Sequence, residues 1–438
     1  MSQQTVHAEF LGQRNGIRFH RIRSDKFKTA RTDLFFANPL TADAAPANAL
    51  VGPLLRRGCT PHPNSLALER RLEALYGASY DWRVLKKGDT QVVHVGVAHV
   101  ADRYASGGEP LFAQSAGLLL DLLRSPVLTD GLFPDDVFSQ ERENLVDLIR
   151  SRVNDKIRYA AMRCNETMCH GDVFAIQAEG GEAEALALTT ETATAAWRRQ
   201  LREAPGWAYF SGEMPDADVE RFMERFDAIG RSGAATVPAT RQFDAVRPVN
   251  RVEETMDVNQ GKLSMGLATG VPPLSADWPA MMVYNGILGG DLHSKLFQNV
   301  REKASLAYYA SSQLERNKGL MYINSGIEAE NREKAEAIIL AQLEDMRRGN
   351  ITHDEHEATL RSLQTAFKAA QDNQFGIVEF HFAQHLLGTD DTYASLADKV
   401  SRVTIGDVVR VAQGVRLDTV FFLKPGATMP ADGHRDGE

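Results

Sequence analysis

A histidine pair at helical spacing, an arginine–tyrosine pair and a small thiol cluster are the residues in this sequence with the types and spacing to do chemistry. His381 and His385 stand four apart in the apolar stretch EFHFAQHLLG. On a helix they share one face and can offer two imidazole nitrogens to a metal ion. Phe382 stands where a metallohydrolase would carry its catalytic carboxylate, and the pattern supplies no third ligand, so the pair reads as structural. His353-Asp354-Glu355-His356 follows Thr352 at a helix start, where acidic side chains suit the dipole and capping accounts for them. Cys164, Cys169 and His170 cluster loosely, with no second Cys-x-x-Cys to complete a zinc site. Gly289-Gly290 precedes no Gly-Lys-Ser/Thr and lies in no Gly-x-Gly-x-x-Gly, so a tight turn between close backbones is expected there, not a phosphate loop. Arg301 and Tyr308 are separated by six residues. Arginine offers a fork of donors to a carbonyl or carboxylate, and tyrosine offers a ring face and one hydroxyl.

The elements that must position these residues occur twice. Ala47 to Val100 is one copy and Pro279 to Glu328 the other. Gly58 precedes Tyr76 by 18 residues, as Gly290 precedes Tyr308 by 18, and each copy reaches a Lys-Gly turn, Lys87-Gly88 and Lys318-Gly319. The alternating runs VVHVGVAHV and LMYINSGIE follow and predict half-buried strands. Two longer helices come next in each half: Gly117 to Arg124 and beyond, then Pro134 to Arg152; and Asn331 to Arg348, then His353 to Ala370. Phe138, Leu145, Leu148 and Ile149 in one, and Leu360, Leu363 and Phe367 in the other, recur at helical spacing. Strand patterns open and close each half. This order predicts an α+β fold of two homologous mixed sandwich lobes rather than a doubly wound sheet. The expected divisions are 1–230, a linker over 231–250, 251–426, and a flexible tail over 427–438.

Composition excludes other classes. The 438 residues suffice for two or more domains with their own cores, and 43% apolar with 24% charged residues is ordinary for a globular protein. A net charge of −9 argues against a nucleic-acid binder. No apolar run reaches the roughly 18 residues of a membrane span. The opening MSQQTVHAEFLGQRNG lacks a signal-peptide pattern, and three scattered cysteines make no disulfide framework, so a cytoplasmic location is expected.

With Gly289-Gly290 ahead of it, HSKLFQNVREKASLAYYASS resembles the C-terminal half of the pitrilysin/insulinase-type zinc peptidases, which include the mitochondrial processing peptidases. The resemblance runs over nearly the whole chain. It implies two homologous lobes that close with a second pair around a peptide chamber. It also implies that Arg301 and Tyr308 match the family's substrate-holding pair. The chain is similar too to the bacterial branch associated with aminopentanol modification of elongation factor P.

The resemblance also shows what is missing. Active members carry His-x-x-Glu-His on the first helix of the N-terminal lobe, two histidines on one helix face with the glutamate as base for a zinc-bound water. Anchored on Gly58, those five positions are Ala49, Leu50, Val51, Gly52 and Pro53, and Gly52-Pro53 is expected to weaken or break the helix. The third ligand, a glutamate seven residues after another, falls on Leu148, while the upstream Glu141 survives. The implied protein is therefore a non-catalytic subunit with no cofactor of its own. Zinc would belong to a homologous partner in a heterodimer, and the substrate would be a peptide or unfolded polypeptide. A scaffold or peptide-binding homodimer is the alternative reading.

Overall fold

The structure, a computed structural model, describes residues 6–232, 236–237, 239–244 and 248–426. The tail expected over 427–438 and parts of the expected linker lie outside these residues.

The first sheet has the order β1-β2-β6-β3-β5-β4. Its strands are β1 (Ala8–Arg14), β2 (Ile17–Ile22), β3 (Thr29–Pro39), β4 (Ser79–Lys87), β5 (Thr90–Val100) and β6 (Gly206–Ser211). The second sheet has the order β7-β11-β8-β10-β9. It is built from β7 (Asn250–Met256), β8 (Gly261–Ala268), β9 (Ala307–Glu315), β10 (Leu320–Ile327) and β11 (Arg416–Pro425). Without β1 the two orders are the same, and each has one parallel pair, β2–β6 and β7–β11. The repeat in the sequence is a repeat of topology, and the fold is the α+β duplication expected.

The long helices run Leu111–Arg124 and Asp135–Ser151 in the first half, Arg332–Arg348 and His353–Ala370 in the second. Phe138, Leu145 and Ile149 enter the large first core with Leu34, Phe36 and Val95 from the strands. Leu360, Leu363 and Phe367 pack against the second core. Leu148 departs from this pattern and is half exposed.

The compact units do not follow the expected division at 231–250. One comprises 1–151, 176–240 and 368–394; the other comprises 152–175, 241–367 and 395–438. Each half lends the other a helix. In the first unit, helix Gln374–Leu387 lays Phe375, Val378 and Phe382 on Phe35, Val92 and Trp207 of the sheet. In the second, helix Lys156–Met168 sets Ala160 and Cys164 against Phe421 and Leu423. Hence β5 is buried on both faces, not half-buried as its alternation predicts. Helical periodicity shows which face is apolar, not which sheet will cover it. Within the expected linker, Arg231 is nearly buried and donates to the Asn15 carbonyl at 2.8 Å and to the Leu201 and Ala204 carbonyls.

Candidate functional site

The five residues at the degenerate motif keep a helical path. Helices Ala44–Ala49 and Val51–Leu55 meet at Leu50, whose backbone stays right-handed, and Leu54 N–H still donates to the Leu50 carbonyl at 3.0 Å. Pro53 shortens the helix without breaking its course, because the following N–H groups find carbonyls within one turn.

Ala49, Pro53 and Leu148 all line one cavity of about 770 Å³ in the first unit. The structure thus brings together the three positions that would hold zinc. None of these side chains carries a lone pair, and zinc requires nitrogen, sulfur or oxygen donors. The surviving Glu141 is buried, ion-paired to Arg57 and bonded by Asn144 Nδ2 at 3.1 Å. Position 52, where the base would stand, is occupied from the other side. A Cβ built on Gly52 would fall 2.6 Å from the Trp82 side chain, and Tyr80 Oη donates to the Gly52 carbonyl at 3.2 Å. The cavity does not fit a metal, and no hydrolytic step is assigned to it. It is an apolar hollow with Arg56, Arg57 and Arg83 in its lining, bordered by Trp82, Arg83, Val84 and Leu85 of β4. Strand β4 is the last in its sheet, so one row of its backbone groups has no partner strand.

Arg301 and Tyr308 lie in the second unit. Arg301 sits in the helical segment Phe297–Lys303, half exposed, with its guanidinium 4.6 Å from the Phe297 ring centre and 3.7 Å from Glu302. Tyr308 is 72% exposed on β9, the terminal strand of the second sheet. No hydrogen bond joins the two side chains. Between them the chain turns at Ser305, whose φ of 53° is left-handed, with Ser305 N–H on the Arg301 carbonyl and Leu306 N–H on the Val300 carbonyl, both at 3.1 Å.

That turn corrects the repeat anchor. In the first half, Gly77 N–H bonds the Glu73 carbonyl at 3.3 Å and Ala78 N–H the Leu72 carbonyl at 3.0 Å. The counterpart of Tyr308 is therefore Tyr80, not Tyr76, and the counterpart of Arg301 is Glu73. Tyr76 occupies the left-handed turn before the strand, with φ of 60°. The strand registers agree, since Ser79 pairs with Ala98 and Ala307 with Ile327 at the same place in each hairpin.

The remaining candidates lie elsewhere in the fold, and His356 is buried where the sequence predicts capping and solvation. Thr352 and Glu355 cap each other, with Thr352 N–H on Glu355 Oε2 at 2.8 Å and Glu355 N–H on Thr352 Oγ1 at 3.2 Å. His356 is buried and bonds the Val403 carbonyl at 3.0 Å. Cys164 and Cys169 are buried free thiols, and burial pushes the Cys164 thiol up to about 12. A Cβ on Gly289 would meet the Ser312 backbone nitrogen at 2.5 Å, the close approach that the glycine pair predicts. Sequence spacing missed Asp390, which the structure places 3.2 Å from His385 Nε2.

Comparison with known proteins fits this geometry. The family model described as the peptidase M16 inactive domain matches residues 208–363. The chain is 30% identical over 416 residues to "Probable inactive metalloprotease YmfF" of Bacillus subtilis (strain 168), spanning 95% of this chain and 97% of that one. A crystal structure of a protein from Enterococcus faecalis V583 superposes with a TM-score of 0.88 at 28% identity, covering 96% of this chain and 99% of that one. The peptidase M16 inactive domain from Pseudomonas fluorescens shares the fold, with a TM-score of 0.75 at 15% identity over 97% of this chain and 100% of that one. The chain belongs to the M16, pitrilysin-type peptidase family. Its emptied ligand positions make it a non-catalytic member. No helix among the described residues is long and apolar enough to cross a membrane.

Proposed function

We propose that this chain is the substrate-binding, non-catalytic subunit of a heterodimeric M16 peptidase. The carrying observation is the unpaired edge of β4 beside a roomy apolar cavity where catalytic relatives would hold zinc. An extended peptide can add to such an edge through backbone bonds and drop side chains into the hollow. In this reading, Arg301 and Tyr308 hold peptide carbonyls, and a zinc-bearing homologue supplies the metal, the base and the hydrolysis. The complex would work in the cytoplasm, a reading that the three free thiols support.

Affinity capture of the full chain from its own cells tests the pairing. Recovery of a homologue with an intact His-x-x-Glu-His supports it. Recovery of the chain with only itself favours a peptide-binding homodimer instead.

A further inference from the structure

The first unit gathers a second set of donors, away from the emptied cavity. Helix Gln374–Leu387 carries His381 and His385 one turn apart. It ends at Gly388, left-handed at φ 77°, and the chain reverses to bring Asp390 back against His385. One ligand atom from each of His381, His385 and Asp390 lies within 4.8 Å of the others, and among the described residues no other group of three or more histidines, cysteines or acids is so arranged.

His381 gives the independent sign of a missing occupant. It is fully buried, and neither ring nitrogen has a hydrogen-bond partner among the described residues. The Val6 backbone faces the ring without closing a bond of ordinary geometry. A buried imidazole with both nitrogens idle carries a desolvation cost that nothing nearby repays.

The surroundings orient the second imidazole. His385 Nδ1 lies 2.7 Å from the Tyr209 hydroxyl, and the His20 ring stacks 4.2 Å from the His385 ring. The Tyr209 hydroxyl, donor or acceptor according to the imidazole tautomer, fixes the plane of the ring from the Nδ1 side. Nε2 faces Asp390 at 3.2 Å, and a bound metal ion would take the place of the proton between them, with Tyr209 as the outer partner that holds the ring.

We propose that His381, His385 and Asp390 bind one zinc-class divalent ion, which clamps the end of this helix to its return loop. Zinc–nitrogen bonds of about 2.0–2.1 Å in a tetrahedron set donors roughly 3.3 Å apart; His385 Nε2 and Asp390 already stand 3.2 Å apart, and the widest pair, within 4.8 Å, closes the rest on binding. Asp390, with a side chain 59% exposed on the loop, can make that movement. The fourth position falls to water. Phe382, stacked 4.2 Å from Phe35, stands where a hydrolytic site would carry its carboxylate, so no hydrolysis is assigned to the ion.

The test uses the full, tag-free chain, stripped with chelator and titrated with zinc chloride by calorimetry and by thermal melting. We expect one ion per chain and a melting temperature that rises until saturation. Asp390→Asn, at an exposed position that threatens no packing, should weaken binding by at least the roughly 10- to 100-fold that loss of an outer-shell partner costs. His381→Ala with His385→Ala should abolish it. Should that double variant fail to fold, anomalous diffraction at the zinc edge on the wild-type chain decides, with a peak beside His385 expected. No stoichiometric binding, an Asp390→Asn variant that binds as the wild type does, or an anomalous peak elsewhere would each overturn the site.

Discussion

Gly52 and Trp82 exclude any side chain at the position of the family's catalytic base: a Cβ at residue 52 would lie 2.6 Å from the indole. The loss of catalysis is therefore more than a missing list of ligands. The neighbouring strand has grown into the vacated space, and Arg57 has taken up the surviving Glu141.

Gly52→Glu should destabilise the fold by about 1–3 kcal/mol, the usual cost of overpacking. Combined with Trp82→Ala it should show a coupling of about 0.5–3 kcal/mol, because the two side chains compete for one space. Urea denaturation of the two single variants and the double variant measures this. Strict additivity would mean that the indole moves aside freely.

Rebuilding the motif should fail as catalysis. A chain carrying Ala49→His, Gly52→Glu, Pro53→His and Leu148→Glu regains the donor types but not the outer hydrogen bonds that orient zinc-bound histidines. No peptidase activity above the wild-type chain is expected in a fluorogenic peptide assay. Substantial turnover would show the lobe to be better preserved than the Trp82 contact implies.

Tyr80 and Tyr308 hold equivalent strand positions with opposite burial, one 3% and the other 72% exposed. Tyr80→Phe loses its bond to the Gly52 carbonyl and should cost about 0.5–1.5 kcal/mol. Tyr308→Phe should leave stability unchanged and act only on peptide handling. Paired thermal melts and peptide assays separate the two effects. A stability loss at Tyr308 would assign that ring to packing.

That pair also marks how far the sequence can be read. Gly58, Gly290 and the two Lys-Gly turns make the duplication legible, because turns need special residues. The register inside it is not legible, because counting tyrosines pairs Tyr76 with Tyr308. Ser305 adopts the left-handed turn without being glycine, so no letter announces the shift. The exchange of Lys156–Met168 and Gln374–Leu387 is hidden for another reason: an apolar helix face does not name its sheet. Of the site, the emptied ligand positions Ala49, Pro53 and Leu148 were readable from alignment on Gly58. Trp82 and Asp390 were not, since only the folded strand and the reversal at Gly388 bring them in.

Stability in chelator should fall as pH drops below about 6.5. His20 is held at about 3 and His381 at about 4, in each case chiefly by burial and then by the neighbouring His385. The unfolded chain takes up these protons near the ordinary histidine value, while the folded chain resists them. The unfolded state thus binds more protons across the window from about 6.5 down to the folded values, and acid favours it. His7 reinforces the effect at His381 and Asp390 opposes it there, while at His20 the hydrogen bond to the Arg18 backbone opposes it. Urea midpoints between pH 7.5 and 4 should show the slope, and His20→Phe should flatten it. An unchanged slope in that variant would remove His20 from the account.

Reconstitution tests the central claim most directly. The chain and the zinc-bearing homologue recovered with it are purified separately, then assayed alone and mixed, with peptide hydrolysis as the readout. The account predicts hydrolysis by the mixture only. It also predicts a loss of about 10- to 150-fold in kcat/KM when the mixture contains Arg301→Ala, the range for one lost charge-assisted bond. Zinc content and assembly should be untouched. Full activity of the homologue by itself, or of a mixture carrying both Arg301→Ala and Tyr308→Phe, would contradict a substrate-holding role for this chain.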